Sequence, residues 1–208
     1  MRALLLSGGV DSSALAWSEK PDLCVTIDYG QRAAAGEVAA SAYLCKILRI
    51  RHRLISADLS ALGAGTMVGR KAAKGGAAAE FWPFRNQMLL TLSGMLLQPL
   101  GVKELLIGAV STDVHADGRA TFFRAIDRLM RLQEGGIKVS APARHLTSLQ
   151  LLQRSKFPQR LIGLTFSCHV HEYACGQCRG CLKHREVIKA YSQSLSTKRR
   201  SLSKAKKS

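Results

Sequence analysis

The stretch Leu4-Leu5-Leu6-Ser7-Gly8-Gly9-Val10-Asp11-Ser12-Ser13 decides how this chain folds. Three leucines after Ala3 leave no polar face for water, as expected of a strand covered on both sides. The run stops at Ser7, and Gly8 and Gly9 allow a sharp turn that can present backbone N–H groups outward. Asp11, Ser12 and Ser13 are suitable N-caps for the apolar stretch Ala14-Leu15-Ala16-Trp17. Strand, glycine turn and helix start together form an anion cradle, with backbone donors and a helix N-terminus aimed at one point. Neither the dinucleotide pattern G-x-G-x-x-G nor the Walker pattern with its Lys-Ser/Thr is present.

Working outward, Leu23-Cys24-Val25-Thr26-Ile27 reads as a second buried strand, ending at Asp28-Tyr29-Gly30-Gln31. In a doubly wound sheet, ligands collect beyond the carboxyl ends of the strands, which puts Asp28 within reach of a ribose or an amino group. Ala33 to Leu48 is an alanine-rich helix with Glu37 early and Lys46 late. Arg53 to Ser56 is a third strand. Ser60 to Phe81 carries Gly63, Gly65, Gly69, Gly75 and Gly76 among Arg70, Lys71 and Lys74, and reads as a mobile, positively charged loop able to cover phosphates. Arg85 and Asn86 open a long apolar helix to about Leu97. Leu105-Leu106-Ile107 is a fourth strand ending at Gly108, and the loop behind it holds Asp113, His115, Asp117 and Arg119. Phe122 to Gln133 is an amphipathic helix and Lys138 to Ala141 a short fifth strand. Strands alternating with helices specify an α/β fold with a doubly wound, Rossmann-like parallel sheet of about five strands.

At 208 residues the chain suits one such domain with a small appendage. No apolar run is long enough to span a membrane. Met1-Arg2-Ala3 enters a strand directly, so no cleavable signal is expected, and a cytoplasmic protein with no membrane partner follows. The net charge is +17. Lys198, Arg199, Arg200, Lys204, Lys206 and Lys207 supply part of it from a tail without acids, and the rest of the chain remains basic. Such a surface attracts polyanions, ATP and nucleic acid among them, and the tail over 191–208 reads as a disordered, solvated end.

Cys24 and Cys45 fall in apolar segments and read as small core residues. Cys168, Cys175, Cys178 and Cys181 instead follow the spacing C-x6-C-x2-C-x2-C within 167–190. Four thiolates so spaced close tetrahedrally on Zn²⁺ and leave no open position, which makes the module structural. A [4Fe–4S] cluster fits the same spacing, but nothing else in the chain points to redox chemistry.

The Ser-Gly-Gly-x-Asp-Ser run resembles the pyrophosphate (PP) loop of ATP pyrophosphatases, and with the four-cysteine module the chain is similar to the 7-cyano-7-deazaguanine synthase family. Further matches are Asp28-Tyr29-Gly30-Gln31-Arg32, Arg85-Asn86, Gly108, Asp113, Asp117 and Arg119, so the resemblance covers Leu4 to about Ile188. It implies a PP-loop domain over 1–166. It also implies an ATP-dependent, AMP-forming carbon–nitrogen ligase that turns 7-carboxy-7-deazaguanine and ammonia into an amide and then a nitrile in queuosine-type biosynthesis. On that resemblance Ser7, Gly8, Gly9, Val10, Asp11, Ser12, Ser13, Asp28 and Gly108 bind ATP with Mg²⁺. Asp11, Ser12, Arg85 and Asp113 serve catalysis. Tyr29, Gln31, Arg85, Asn86, Asp113, Asp117 and Arg119 meet the acceptor, and a homodimer is implied.

The chain departs from the family pattern in two loops. Gly-Tyr-Pro-Asp-Cys-Arg is missing from the loop after the fourth strand, where Asp113 and Asp117 stand only four apart. A Lys-x-Glu expected after Leu146-Thr147 is replaced by Ser148-Leu149-Gln150. A divergent paralogue acting on another carboxylate, a tRNA-modifying thiolase, and a nucleic-acid-binding protein without turnover are the competing readings. The thiolase needs a cysteine beside the ATP site, whereas Cys24 and Cys45 read as buried.

Overall fold

The computed structural model describes residues 1–76 and 78–205, with side chains up to residue 197. Five parallel strands form one sheet: β1 (Arg2–Leu5), β2 (Leu23–Asp28), β3 (Arg51–Ser56), β4 (Glu104–Ile107) and β5 (Lys138–Ser140), in the order β3-β2-β1-β4-β5. The chain starts in the middle of the sheet, builds outward to β3, then crosses back to lay β4 on the other side of β1. Connections therefore leave β1 and β4 in opposite directions, and a crevice opens beyond their carboxyl ends.

Both sheet faces are covered, as the uninterrupted apolar strands require. Ala3, Leu5, Leu23, Val25, Leu105 and Ile107 face a core completed by α3 (Arg85–Leu97) and α4 (Ala120–Arg131), through Leu90, Leu97, Phe123 and Ile126. Leu4, Leu6, Cys24 and Leu106 point the other way. They meet α1 (Val10–Glu19), α2 (Ala34–Leu48), α5 (Ser148–Ser155) and α7 (Arg179–Ala205), with the short α6 (Gln159–Ile162) between the last two. The alternation along each strand is the period-2 geometry of a pleated sheet. Cys24 and Cys45 both lie in this second core, in keeping with their apolar surroundings in sequence. Among the described residues no helix is long and apolar enough to cross a membrane.

Three expectations need correction. Asp11, Ser12 and Ser13 do not cap α1: the N-cap is Gly9, no side chain caps it, and the three residues lie inside the first turns. The 60–81 segment, read as a loose excursion, contains two 3-10 turns, Ser60–Leu62 and Gly65–Met67. It is pinned by Gly65 N–H to Lys71 O and Thr66 N–H to Ala79 O. Met67 and Glu80 are buried as a result.

The third correction concerns the tail. α7 does not stop near residue 190 but continues to Ala205, and its apolar face is still packed as far as Leu195. Tyr191 is 2% exposed and its hydroxyl donates to Phe157 O at 2.8 Å, and Leu195 packs against the same core. The described part of 191–208 is helical, so a disordered tail from 191 is not what the chain forms; Lys206, Lys207 and Ser208 lie outside the described residues. Replacing a buried aromatic ring by alanine costs about 3–5 kcal/mol, so Tyr191→Ala should lower unfolding stability on that scale. Urea denaturation checks it, and a chain ending at 190 should be destabilised where one ending at 197 is not.

Candidate functional site

The crevice predicted by the strand order is a cleft of about 330 Å³ at the carboxyl ends of β1 and β4. Its floor is the Ser7–Ser12 turn. Gly8 adopts φ +73, and a Cβ there would stand 2.8 Å from the Ala40 Cβ, so only glycine lets α2 lie against the turn. Ser12 ties the turn together: its hydroxyl donates to Gly9 O at 3.2 Å and accepts from Ser7 N–H at 3.3 Å. The first intrahelical bond of α1 runs from Ser13 N–H to Gly9 O, and the N–H groups ahead of it remain for a ligand. On the facing wall, a Cβ on Gly108 would meet the Ser12 backbone at 3.1 Å, so β4 ends in direct contact with the turn.

The other walls come from distant segments. Asp117 accepts the Asn86 backbone N–H through Oδ2 at 3.1 Å, and its carbonyl accepts from Asn86 Nδ2 at 3.1 Å. This pair fastens the start of α3, where Arg85 enters the cleft, to the loop after β4. Asp113 Oδ2 accepts Val110 N–H at 3.0 Å and shapes the same loop. Tyr29 is buried edge-on against Trp82, with ring centroids 4.9 Å apart, and burial raises its hydroxyl pKa. Behind it Gln31 is a brace: Oε1 accepts from Tyr29 N–H at 2.9 Å, and Nε2 donates to Glu37 Oε2 at 2.8 Å.

The cleft brings together Ser7, Gly9, Val10, Asp11, Ser12, Tyr29, Arg85, Asn86, Gly108, Asp113 and Asp117. It does not include Gly8, Ser13, Asp28, Gln31 or Arg119 among its lining residues. Gly8 and Ser13 sit behind the turn, and Asp28 is engaged in its own turn, accepting Gly30 N–H at 3.1 Å. Arg119, expected to meet an acceptor, is the exposed N-cap residue of α4 and faces solvent.

Several lining residues were not picked out from sequence. Glu37 and Glu80 enter from α2 and the 60–81 segment, and Arg179, Lys183 and His184 from α7. The i, i+4 spacing of Arg179 and Lys183 was visible, but nothing local marked which face of that helix would meet the cleft. Glu80 Oε1 pairs with Arg179 Nη1 at 2.7 Å and lies 3.9 Å from His115 Nε2. Phe81 stacks on His115 at 5.6 Å, so the segment closes one side of the cleft.

Four buried side-chain polar atoms among the described residues lack a hydrogen-bond partner. Three of them, Asp11 Oδ1, His115 Nδ1 and Ser148 Oγ, belong to residues of the cleft wall. Buried polar groups are ordinarily paired, because an unmade bond costs about 1–3 kcal/mol. Their convergence on one cavity is the mark of a place that a polar ligand completes. Burial also raises the Asp11 carboxyl, opposed by the nearby Lys183 charge.

The four cysteines form a separate cluster at the mouth of the cleft, with their sulfurs all within 4.8 Å of one another. Cys175 and Cys181 Sγ stand 3.9 Å apart, as do Cys168 and Cys178 Sγ. Sulfurs bound at about 2.3 Å to one tetrahedral ion are separated by about 3.8 Å, so two of the pairs already stand at that spacing and the set can close on one metal. Backbone N–H groups of His169 and Cys181 point at Cys178 Sγ, each at 3.4 Å. Those of Cys178 and Gln177 lower the Cys175 thiol toward the thiolate that a metal requires.

The Glu37 carboxyl sits at the inner wall, where burial raises it from 4.5 to about 7 against the opposing pull of Gln31 and Arg85. A carboxyl raised on folding holds its proton better in the native state. Its contribution is complete below the unfolded pKa and is lost as pH rises through about 7. Stability should therefore fall between pH 4.5 and 7 by more in the parent than in Glu37→Gln, which unfolding titrations at several pH values would read.

A family model described as "Queuosine biosynthesis protein QueC" matches residues 2–192. Among relatives, the 7-cyano-7-deazaguanine synthase of Anaeromyxobacter sp. is 32% identical over 208 residues, covering 88% of this chain and 89% of that protein. The one of Pseudomonas paraeruginosa is 29% identical, covering 86% and 88%. That of Methanosarcina barkeri is 26% identical, covering 91% and 94%. A solved structure described as a predicted subunit of tRNA methyltransferase from Methanocaldococcus jannaschii shares the fold at a TM-score of 0.50 and 18% identity, over 74% of this chain and 73% of that one. With a family model spanning nearly the whole sheet, the cleft and the cysteine cluster, the chain belongs to the QueC family of queuosine biosynthesis proteins.

Proposed function

We propose that the chain is an ATP-dependent, AMP-forming synthase that activates a carboxylate and aminates it, with 7-carboxy-7-deazaguanine as acceptor and the 7-cyano compound as product. The observation that carries this reading is the uncapped first turn of α1 in a cleft where unpartnered polar atoms converge. Relatives named 7-cyano-7-deazaguanine synthase supply the acceptor.

In the proposed reaction a carboxylate oxygen of the acceptor attacks the α-phosphorus of ATP, and the P–O bond to pyrophosphate breaks. Ammonia then adds to the activated carbonyl carbon and AMP leaves, giving the amide after loss of a proton. The amide oxygen then attacks the α-phosphorus of a second ATP with release of pyrophosphate, and departure of AMP with loss of both N–H protons gives the nitrile. Negative charge grows on the leaving pyrophosphate. The backbone N–H groups of Val10, Asp11 and Ser12, at the N-terminal end of α1, meet it without reorganising. Ser12 keeps the turn in shape, and Arg85 offers a planar cation to the acceptor's carboxylate. Tyr29 and Asn86 wall the acceptor, and Asp113 and Asp117 accept N–H groups from a guanine-like edge.

Asp11, with its unpartnered oxygen, suits Mg²⁺, which when bound neutralises the pyrophosphate. Cys168, Cys175, Cys178 and Cys181 would hold Zn²⁺ in a closed four-sulfur site. No cysteine lines the cleft among the described residues, which disfavours the thiolase reading. The solvent-facing Arg119 and the shortened loop after β4 favour one second reading, the same chemistry on a different carboxylate.

Incubation with ATP, Mg²⁺, ammonium and a panel of carboxylates tests both readings. AMP, pyrophosphate and a product of nitrile mass are expected with 7-carboxy-7-deazaguanine. AMP formed only with another acceptor would favour the second reading, and no AMP with any would overturn both.

Asp11→Asn should remove AMP formation by about 10²-fold or more, the scale of losing one preorganised electrostatic group, with an unchanged far-UV spectrum. Metal analysis should find about one zinc per chain for a single four-thiolate site. Cys178→Ser should lose that zinc and lower the melting temperature, whereas iron with a visible absorption band would identify a cluster instead.

A further inference from the structure

Helix α7 starts inside the cysteine cluster and ends in the core, and between the two it turns one face into the cleft. Arg179, Lys183 and Val187 follow each other at intervals of four along that face, flanked by His184. Cys178 immediately precedes the helix and Cys181 lies in its first turn. The backbone that would carry two metal ligands thus leads directly into the turns that send Arg179 to Glu80 and Lys183 toward Asp11 in the Ser7–Ser12 loop.

Lys183 Nζ stands 3.9 Å from Asp11 Oδ2 and 3.8 Å from Asp113 Oδ1. The two carboxylates come from opposite sides of the point where the strand order reverses, and Lys183 bridges them from above. At those distances it is an ion-pair partner to both but a hydrogen-bond donor to neither. Its three N–H donors are uncommitted among the described residues, while Asp11 Oδ1 beside it also lacks a partner. A cation that only neutralised Asp11 would gain by closing to about 2.8 Å. This one is held between two anions, at the floor's open side, where the N-terminus of α1 also points.

We propose that Lys183 contacts the phosphates of the bound nucleotide, and that the four-cysteine metal site is what positions it there. The inference rests on the ATP reading given above and adds a residue and a role for the metal to it. The bound polyphosphate carries more negative charge than either carboxylate, so the ammonium turns its donors to it without leaving the cleft. Metal loss frees the first turn of α7 and with it Arg179 and Lys183, although the sheet and the turn after β1 stay folded around the two cores.

The test uses the full-length, zinc-loaded chain with Lys183→Ala, Lys183→Arg and, as an exposed control on the same helix, Lys189→Ala. Calorimetric titration with Mg²⁺–ATP, AMP release, zinc content and melting temperature are read for each. Lys183→Ala should bind ATP at least ten-fold more weakly and release AMP about 10²-fold more slowly, with zinc content and melting temperature retained. Lys183→Arg should recover part of both losses, and Lys189→Ala none of the change. Chelating the metal should weaken ATP binding in the parent but add little in Lys183→Ala, the non-additivity expected of two groups acting through one contact.

Parental ATP affinity and AMP release in Lys183→Ala would overturn the contact. Full additivity of chelation and substitution would overturn the role given to the metal. Should the parent bind ATP yet release no AMP with any carboxylate, the synthase reading falls, while a ten-fold loss of ATP affinity in Lys183→Ala would still support the contact. A parent that binds no ATP at all overturns both.

Discussion

The contact between Gly108 and the backbone of Ser12 governs the rest of the structure. Two backbone segments, one leaving β4 and one turning after β1, meet at the distance an absent side chain allows. That contact exists because β4 lies directly beside β1, in register from Arg2 with Glu104 to Leu5 with Ile107. It brings the loop holding Asp113 and Asp117 over the helix N-terminus that holds Asp11. Widening it by even a methyl group would separate the two carboxylates that Lys183 bridges.

Around that contact the cleft is assembled from parts whose own cohesion lies elsewhere. Gln31 braces Glu37 and the Tyr29 backbone from behind, and Asn86 with Asp117 fastens α3 to the loop after β4. Phe166 N–H donates to Gly8 O at 2.8 Å, so the segment entering the cysteine cluster is laid directly on the Ser7–Ser12 turn. α7 then returns to the body through Tyr191 and Leu195, against α5 and Phe157. The cluster is therefore held at both ends, by the turn before it and by the helix after it. A module that reads as a separate appendage in sequence contributes Ser167, His169, Arg179 and Gly180 to the wall of the cleft in space.

Among the described residues, three of the four unpartnered buried side-chain polar atoms belong to the cleft, and Ser93 Oγ in α3 is the exception. Thr26 donates to Leu6 O at 2.7 Å, Ser41 to the same carbonyl at 3.2 Å and Thr165 to Ile162 O at 2.7 Å. Asp11, His115 and Ser148 have no such partner. Unsatisfied groups are tolerated where binding repays them, and these three share the wall of one cleft.

Sequence by itself determined the parallel sheet, the position of the glycine turn between β1 and α1 and the set of four cysteines. Each rests on short-range physics: continuous apolar strands, glycines at a turn before a helix, thiols spaced to share one ion. Arg85 and Asn86, at the start of α3, and Asp113, in the loop after β4, line the cleft in keeping with their places in the strand-and-helix pattern. Arg119 stands at the exposed N-cap of α4 and is not among the residues that line the cleft. The end of the body was misjudged because the basic composition after 190 hides Tyr191 and Leu195, whose partners are more than thirty residues away in α5 and the turn after it. Glu37, Glu80 and Lys183 reach the cleft only through the packing of α2, the 60–81 segment and α7. No local pattern records which face of a helix meets a cavity built by four other segments, so that choice belongs to the tertiary structure alone.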